Sequence, residues 1–182
     1  MIIYLVGIGC VWKTTIGKML ADKIGFSFFD LDEEIEAYYN KPIERLQDEY
    51  IGMDGFREKA SVVLDDLFSR DMDAVISGTP AGLKFVYLRV YKKHKENKDI
   101  CSIHIKDSFK NILERLTFYD KDSNPIVKKL DDSMKKKYLK EIKADYNYFK
   151  GSYDRADFEI DINNTRLNDV PAMIINELKK FN

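Results

Sequence analysis

The chain is poor in the residues that would draw it to a specialised class. Only two cysteines, Cys10 and Cys101, occur in 182 residues, and neither belongs to a Cys-x-x-Cys pair. That excludes a disulfide scaffold and fits free thiols in a reducing compartment. The two histidines, His94 and His104, do not complete a zinc site at usual spacing. Net charge is almost absent: 30 Lys+Arg against 31 Asp+Glu leave −1. No global field therefore pulls the chain towards nucleic acid or an anionic membrane. Long apolar runs are missing too. Met1 to Ile8 is short and has no basic flank, less than a signal peptide or a transmembrane helix needs. The expectation is a cytoplasmic protein without nucleic-acid or membrane partners. What is present is a hydrophobic fraction of 45%, enough to bury a core and to exclude intrinsic disorder. No repeat or low-complexity linker breaks the chain, so residues 1–182 read as one domain.

The first thirty residues spell strand, glycine turn, helix, strand. Met1–Gly7 is apolar throughout, as in a strand buried on both faces of a parallel sheet. Ile16, Met19, Leu20 and Ile24 form one helical stripe, and Gly25 stops it. Phe26–Phe29 is a second strand, ending at Asp30-Leu31-Asp32. Helical pieces follow over 33–39, 42–50 and 56–68. Residues 74–77, 100–105 and 158–162 are further strands, and 83–91, 107–117, 131–149 and 169–181 are further helices. The helix from Asp107 is capped by Asp107 or Ser108. The polar stretch 92–99 reads as an exposed loop, and 118–131, which holds Pro125, as a mobile segment. Strands alternating with helices predict an α/β fold with a mostly parallel sheet covered on both faces.

Gly7-x4-Trp12-Lys13-Thr14 is close to the phosphate-binding pattern G-x-x-x-x-G-K-[ST], and it follows a buried strand and opens a helix. Backbone N–H groups of Gly7, Gly9, Cys10, Val11, Trp12 and Thr15 are candidates to cradle phosphate at the helix N-terminus. Lys13 would reach the β- and γ-phosphates, and the Thr14 hydroxyl would ligate Mg²⁺. The bland alternative is an ordinary glycine turn. Trp12 stands where glycine is usual; its indole either fills the cradle or swings outward, and it is expected to weaken nucleotide binding. Cys10 lies inside this loop, as a small filler rather than a redox group. Asp30 and Asp32 leave an extended segment on the same side, at the carboxyl end of a strand where ligands bind. They could serve Mg²⁺ and an acceptor hydroxyl; the alternative is capping of the next helix by Asp32.

The pieces IYLVGIGCVWKTTIGKMLADKIG, FSFFDLDEEIE, PIERL and GFREKA, which span residues 2–60 in order, resemble the shikimate kinase family. The likeness is weaker beyond residue 75. The resemblance implies a three-layer α/β/α P-loop kinase fold with a five-stranded parallel sheet. It implies a substrate-binding helical segment at about 33–60 and a helical lid at about 117–131. It implies ATP and Mg²⁺, and transfer of the γ-phosphoryl group to a hydroxyl of a small molecule, shikimate or another polyol. Lys13 and Asp32 become the catalytic residues. Thr14 and Asp30 handle the metal, Asp32, Arg57 and Gly78 bind the acceptor, and Arg115 lies on the nucleotide side, near the adenine. A monomer or weak homodimer is expected.

The sequence departs from the family pattern at three places. Pro80 removes an N–H donor from the stretch Gly78–Gly82. Asn124, where the lid carries arginine before Pro125, leaves Lys121, Lys128 or Lys129 as substitutes, while Asp120 and Asp122 bring negative charge towards the nucleotide. Phe149 replaces a second carboxylate-binding arginine. Trp12, Asn124 and Phe149 make a catalytically impaired nucleotide-binding or regulatory module on the same fold a second reading, and a nucleoside or nucleotide kinase is a third. Lys135, Lys136, Lys137, Lys140 and Lys143 read as a solvated helix face. Tyr146, Tyr148, Phe149 and Tyr153 read as core or rim packing rather than a ligand wall. His94 and His104, in a loop and a strand, receive no catalytic role.

Overall fold

The computed structural model describes residues 1–181. In chain order the first half comprises β1 (Ile2–Val6), α1 (Lys13–Ile24), β2 (Ser27–Asp30), α2 (Leu31–Tyr39), α3 (Ile43–Asp48), α4 (Met53–Ser69) and β3 (Ala74–Ser77). Next come α5 (Val86–Lys95), β4 (Ile100–Lys106), α6 (Phe109–Glu114), β5 (Phe118–Tyr119) and β6 (Pro125–Ile126). The chain closes with α7 (Asp132–Tyr153), β7 (Phe158–Asp161) and α8 (Val170–Phe181).

Five strands form one parallel sheet in the order β2-β3-β1-β4-β7. Every residue of β1 is buried, as apolar side chains on both faces require of a central strand. The first crossover, from β1 to β2, runs towards one edge; every later crossover runs the other way. Because such connections are right-handed, α1 falls on one face and α4, α5 and α7 on the other. The final helix α8 returns to pack against α1, and α4 packs against α5. The result is a three-layer α/β/α arrangement. Its switch point lies beside β1, so the loops at the carboxyl ends of β1, β2 and β3 open into one crevice.

Several segments differ from the sequence reading. Helix α5 begins at Val86 and runs on to Lys95, so residues 92–95 are helical rather than loop. Their polarity fits an exposed last turn, where Lys92, Lys93 and Lys95 also complement the helix dipole. His94 is therefore helical, buried, and hydrogen-bonded to Asp65 at 2.7 Å. Helix α6 is shorter than predicted, and Ser108 is its cap, accepting from the Asn111 N–H. Residues 118–131 do not form a helical lid: β5 and β6 pair as an antiparallel hairpin. Helix α7 continues to Tyr153. Among the described residues no helix is long and apolar enough to cross a membrane.

Candidate active site

The loop between β1 and α1 is wound by backbone conformation. Gly7 has φ +148°, and a Cβ there would come within 2.5 Å of the Ile105 carbonyl oxygen, so this turn beside β4 requires glycine. Cys10 and Trp12 are left-handed, with φ 62° and 65°. Such a turn ahead of a helix aims successive N–H groups to one side, and α1 has no side-chain cap to occupy them. Gly9, Cys10, Trp12, Lys13, Thr14 and Thr15 line a cavity of about 470 Å³. Gly7 and Val11 do not: Gly7 shapes the turn and Val11 is buried in the core. Lys13 is buried and donates from Nζ to the carbonyls of Gly7 and Ile8 at 2.9 and 3.0 Å. Burial lowers its pKa, opposed by the charges of Asp32 and Asp30. Trp12 turns outward, 40% exposed, with the Arg115 guanidinium 5.4 Å from its ring centroid.

Asp30 and Asp32 meet at the same cavity, for a reason other than strand alternation. Strand β2 ends at Asp30, which is the N-cap of α2: its Oδ1 accepts the Asp32 N–H at 3.0 Å. Asp30, not Asp32, does the capping. Its Oδ2 accepts the Thr14 hydroxyl at 2.6 Å, so two hard oxygen donors stand side by side at the loop. Asp32, in the first turn of α2, has its pKa raised to about 7. Burial is the largest cause, followed by the charge of Asp30; Lys13 pulls the other way.

A second cavity, of about 480 Å³, adjoins the first and shares Asp32 and Pro80 with it. Arg57 on α4 lines it and is only 9% exposed. Its Nη1 donates to Asp54 at 2.9 Å. Gly78 lines the first cavity instead. Its N–H is taken by the Leu5 carbonyl at 2.9 Å, and a Cβ would lie 2.6 Å from the Tyr4 hydroxyl. Gly78 thus offers close approach but no free donor. Tyr148 and Phe149 line the second cavity, whereas Tyr146 and Tyr153 pack around the buried His104, the Tyr153 ring stacking on it at 4.6 Å. The aromatic set expected to be packing therefore divides in two.

Arg115 lies against the first cavity, ion-paired with Asp107 and stacked on Trp12. The hairpin covers the same side through Thr117 and Tyr119. It is latched to α2 and α3: the Ser123 hydroxyl meets the carboxylates of Glu36 and Glu44, Asp122 pairs with Arg45, and Lys121 lies 3.4 Å from Asp48. Asp120 accepts the N–H groups of Asp122 and Asn124, and the Asn124 side chain closes the same turn. The negative charges of Asp120 and Asp122 are thus engaged within the hairpin and on α3, and neither residue lines the first cavity. Lys128 donates to the Tyr138 hydroxyl, and neither Lys121, Lys128 nor Lys129 lines either cavity. None takes the place of a lid arginine. Sequence reasoning missed Thr117 and Tyr119 at the first cavity, for which the turn residues Asp120, Ser123, Asn124 and Pro125 were the available signal, and Tyr87, buried on α5 and lining the second cavity.

The family model for shikimate kinase matches residues 9–179. A shikimate kinase of Persephonella marina is 32% identical over 184 aligned positions, covering 97% of this chain and 95% of that protein. Among solved structures, the shikimate kinase of Acinetobacter baumannii in complex with shikimate superposes with a TM-score of 0.75 at 25% identity, covering 98% of this chain and 93% of that one. The shikimate kinase of Aquifex aeolicus gives a TM-score of 0.73 at 25% identity, covering 98% and 96%.

Proposed function

The chain belongs to the shikimate kinase family, and from that premise we propose that its two adjoining cavities hold ATP and shikimate. The chain is an ATP-dependent small-molecule phosphotransferase; in our reading the γ-phosphoryl group passes to a shikimate hydroxyl beside Asp32. The observation that carries this reading is Asp32 itself, a raised carboxylate at the one place where the phosphate-side and arginine-side cavities meet. Residues 33–60 then serve as the acceptor-binding segment and residues 117–131 as the cover on the nucleotide.

The donor set fits Mg²⁺. The ion keeps several waters and phosphate oxygens and asks for only one or two protein oxygens, and the Thr14 hydroxyl and Asp30 carboxylate lie together at the loop. When held there by Thr14 and Asp30, the ion would neutralise negative charge on the nucleotide phosphates. The loop N–H groups and the helix end bind the nucleotide phosphates. Lys13, held by the carbonyls of Gly7 and Ile8, places its ammonium against the negative charge that grows during transfer. Asp32 accepts a hydrogen bond from the acceptor hydroxyl, orients it for in-line attack and takes its proton; a carboxylate titrating near 7 is matched to that task at neutral pH. Arg57 binds the acceptor carboxylate with its planar fork. The test is ADP release with Mg²⁺-ATP in the presence and absence of shikimate, alongside uncharged polyols. Release that depends on shikimate is expected; equal rates without it would contradict the reading.

A further inference from the structure

The second cavity holds two hydroxyls that the protein itself leaves unused. Thr79, just past β3, and Tyr87, in the first turn of α5, both line it. Both are more than nine-tenths buried, Thr79 at 5% exposure and Tyr87 at 0%. Among the described residues no protein group meets either hydroxyl in hydrogen-bond geometry. A buried hydroxyl without a partner costs stability, so its presence calls for a reason. The two are near enough for Thr79 to lower the Tyr87 pKa, although they do not align as a hydrogen bond. Burial, the largest cause, raises that pKa, and Asp32 adds to the rise while Arg57 opposes it. Tyr87 therefore stands in the fields of both ends of the cavity. Its phenol keeps its proton and can donate as well as accept.

The scaffold around these hydroxyls is fixed. The Thr79 carbonyl accepts the Gly82 N–H at 3.0 Å. Helix α7 pins the same turn: Tyr153 donates to the Pro80 carbonyl and Ser152 to that of Ala81, each at 2.7 Å. Two main-chain donors are lost to a ligand here, because the Gly78 N–H is bound to the Leu5 carbonyl and Pro80 has none. Side chains are left to supply hydrogen bonds in their place. The charged groups of the lining are Arg57, Asp32, Glu44 and Asp145. One guanidinium among three carboxylates suits a ligand with a single anionic group and an otherwise neutral, hydroxyl-rich surface.

We propose that the Thr79 and Tyr87 hydroxyls bind the non-reacting hydroxyls of the acceptor and set the selectivity of this chain for a polyhydroxylated ring. This inference rests on the reading of shikimate as acceptor. Asp32 and Arg57 hold the reacting hydroxyl and the carboxylate; Thr79 and Tyr87 hold what lies between them. A ligand lacking the matching hydroxyl leaves a buried polar group unpaired, a stronger ground for rejection than a lost apolar contact. A purely structural hydroxyl pair, tying the turn after β3 to α5, would answer to stability and not to the acceptor.

Tyr87→Phe and Thr79→Val remove the hydroxyls with little change of shape, and Thr79→Ser keeps one. Steady-state kinetics of the full chain are measured with shikimate and with deoxy analogues that each lack one non-reacting hydroxyl, together with Tm of the ligand-free chain. Tyr87→Phe and Thr79→Val are each expected to raise KM for shikimate about tenfold, with kcat and KM for ATP nearly unchanged. Thr79→Ser keeps the parent KM. For each of the first two variants, one deoxy analogue no longer distinguishes it from the parent, since substrate and protein have lost the same contact. Tm stays level or rises, because an unpaired buried hydroxyl is gone. An active parent whose KM for shikimate is unmoved by either substitution overturns this inference alone. A lowered Tm with equal losses on shikimate and every deoxy analogue also overturns it, in favour of the structural pair. A parent that does not phosphorylate shikimate overturns the acceptor reading itself, and this inference falls with it.

Discussion

Asp32 carries the most consequential charge in the molecule. Its pKa is raised from 3.8 to about 7, by burial first and by Asp30 second. A carboxyl whose folded pKa is raised stabilises the fold fully below its unfolded value, and that contribution is lost as pH climbs through about 7. Two outcomes follow. Asp32→Asn should stabilise the ligand-free chain at pH 8 by about 2 kcal/mol, read as a rise in Tm, and lower kcat by about 10²–10⁴-fold. In the parent, kcat/KM for the acceptor should fall as pH drops below about 7, and the asparagine variant should lose that dependence. Lys13→Met should cost about 10²–10³ in kcat, as removing a donor aimed at developing charge does. Trp12 stands in a left-handed position and covers a face of Arg115. Trp12→Gly should therefore improve ATP affinity a few-fold, about 0.5–1 kcal/mol; equal affinities in a binding titration would contradict this.

At the scale of elements, the loop and the hairpin were legible to different degrees. The strand-loop-helix from Ile2 to Ile24 followed from apolar runs, glycine and Lys-Thr, because each of those signals is local. Capping of α2 by Asp32 was the alternative to a functional role; Asp30, the last residue of β2, is the cap instead, because its side chain reaches the Asp32 N–H two residues on. The hairpin β5–β6 escaped because two-residue strands leave no period to read; only the Asp120–Asn124 turn chemistry betrays it. The hairpin latch also makes a prediction. Ser123→Ala combined with Asp122→Ala should raise amide exchange across residues 118–126 and shift Tm little. Exposed pairs of this kind are worth about 0–1 kcal/mol each.

For the whole molecule, the order of the strands decides where chemistry can occur. Reversal of the crossovers at β1 brings the loops after β1, β2 and β3 together. From there Lys13, Asp30 and Asp32 face one cavity, while α4 carries Arg57 to the next. The near-zero net charge of the chain conceals this polarity, because most lysines lie on outer surfaces; Lys135, Lys136, Lys137, Lys140 and Lys143 are all exposed on α7. The fold positions two substrates, so the central claim concerns where the phosphoryl group goes. The most direct measurement follows a label on the γ-phosphate of ATP with shikimate, Mg²⁺ and the full chain. The account predicts that the label moves to shikimate in step with ADP formation, and that Lys13→Met and Asp32→Asn prevent it. Label found in inorganic phosphate, or left in ATP while shikimate is present, would contradict it.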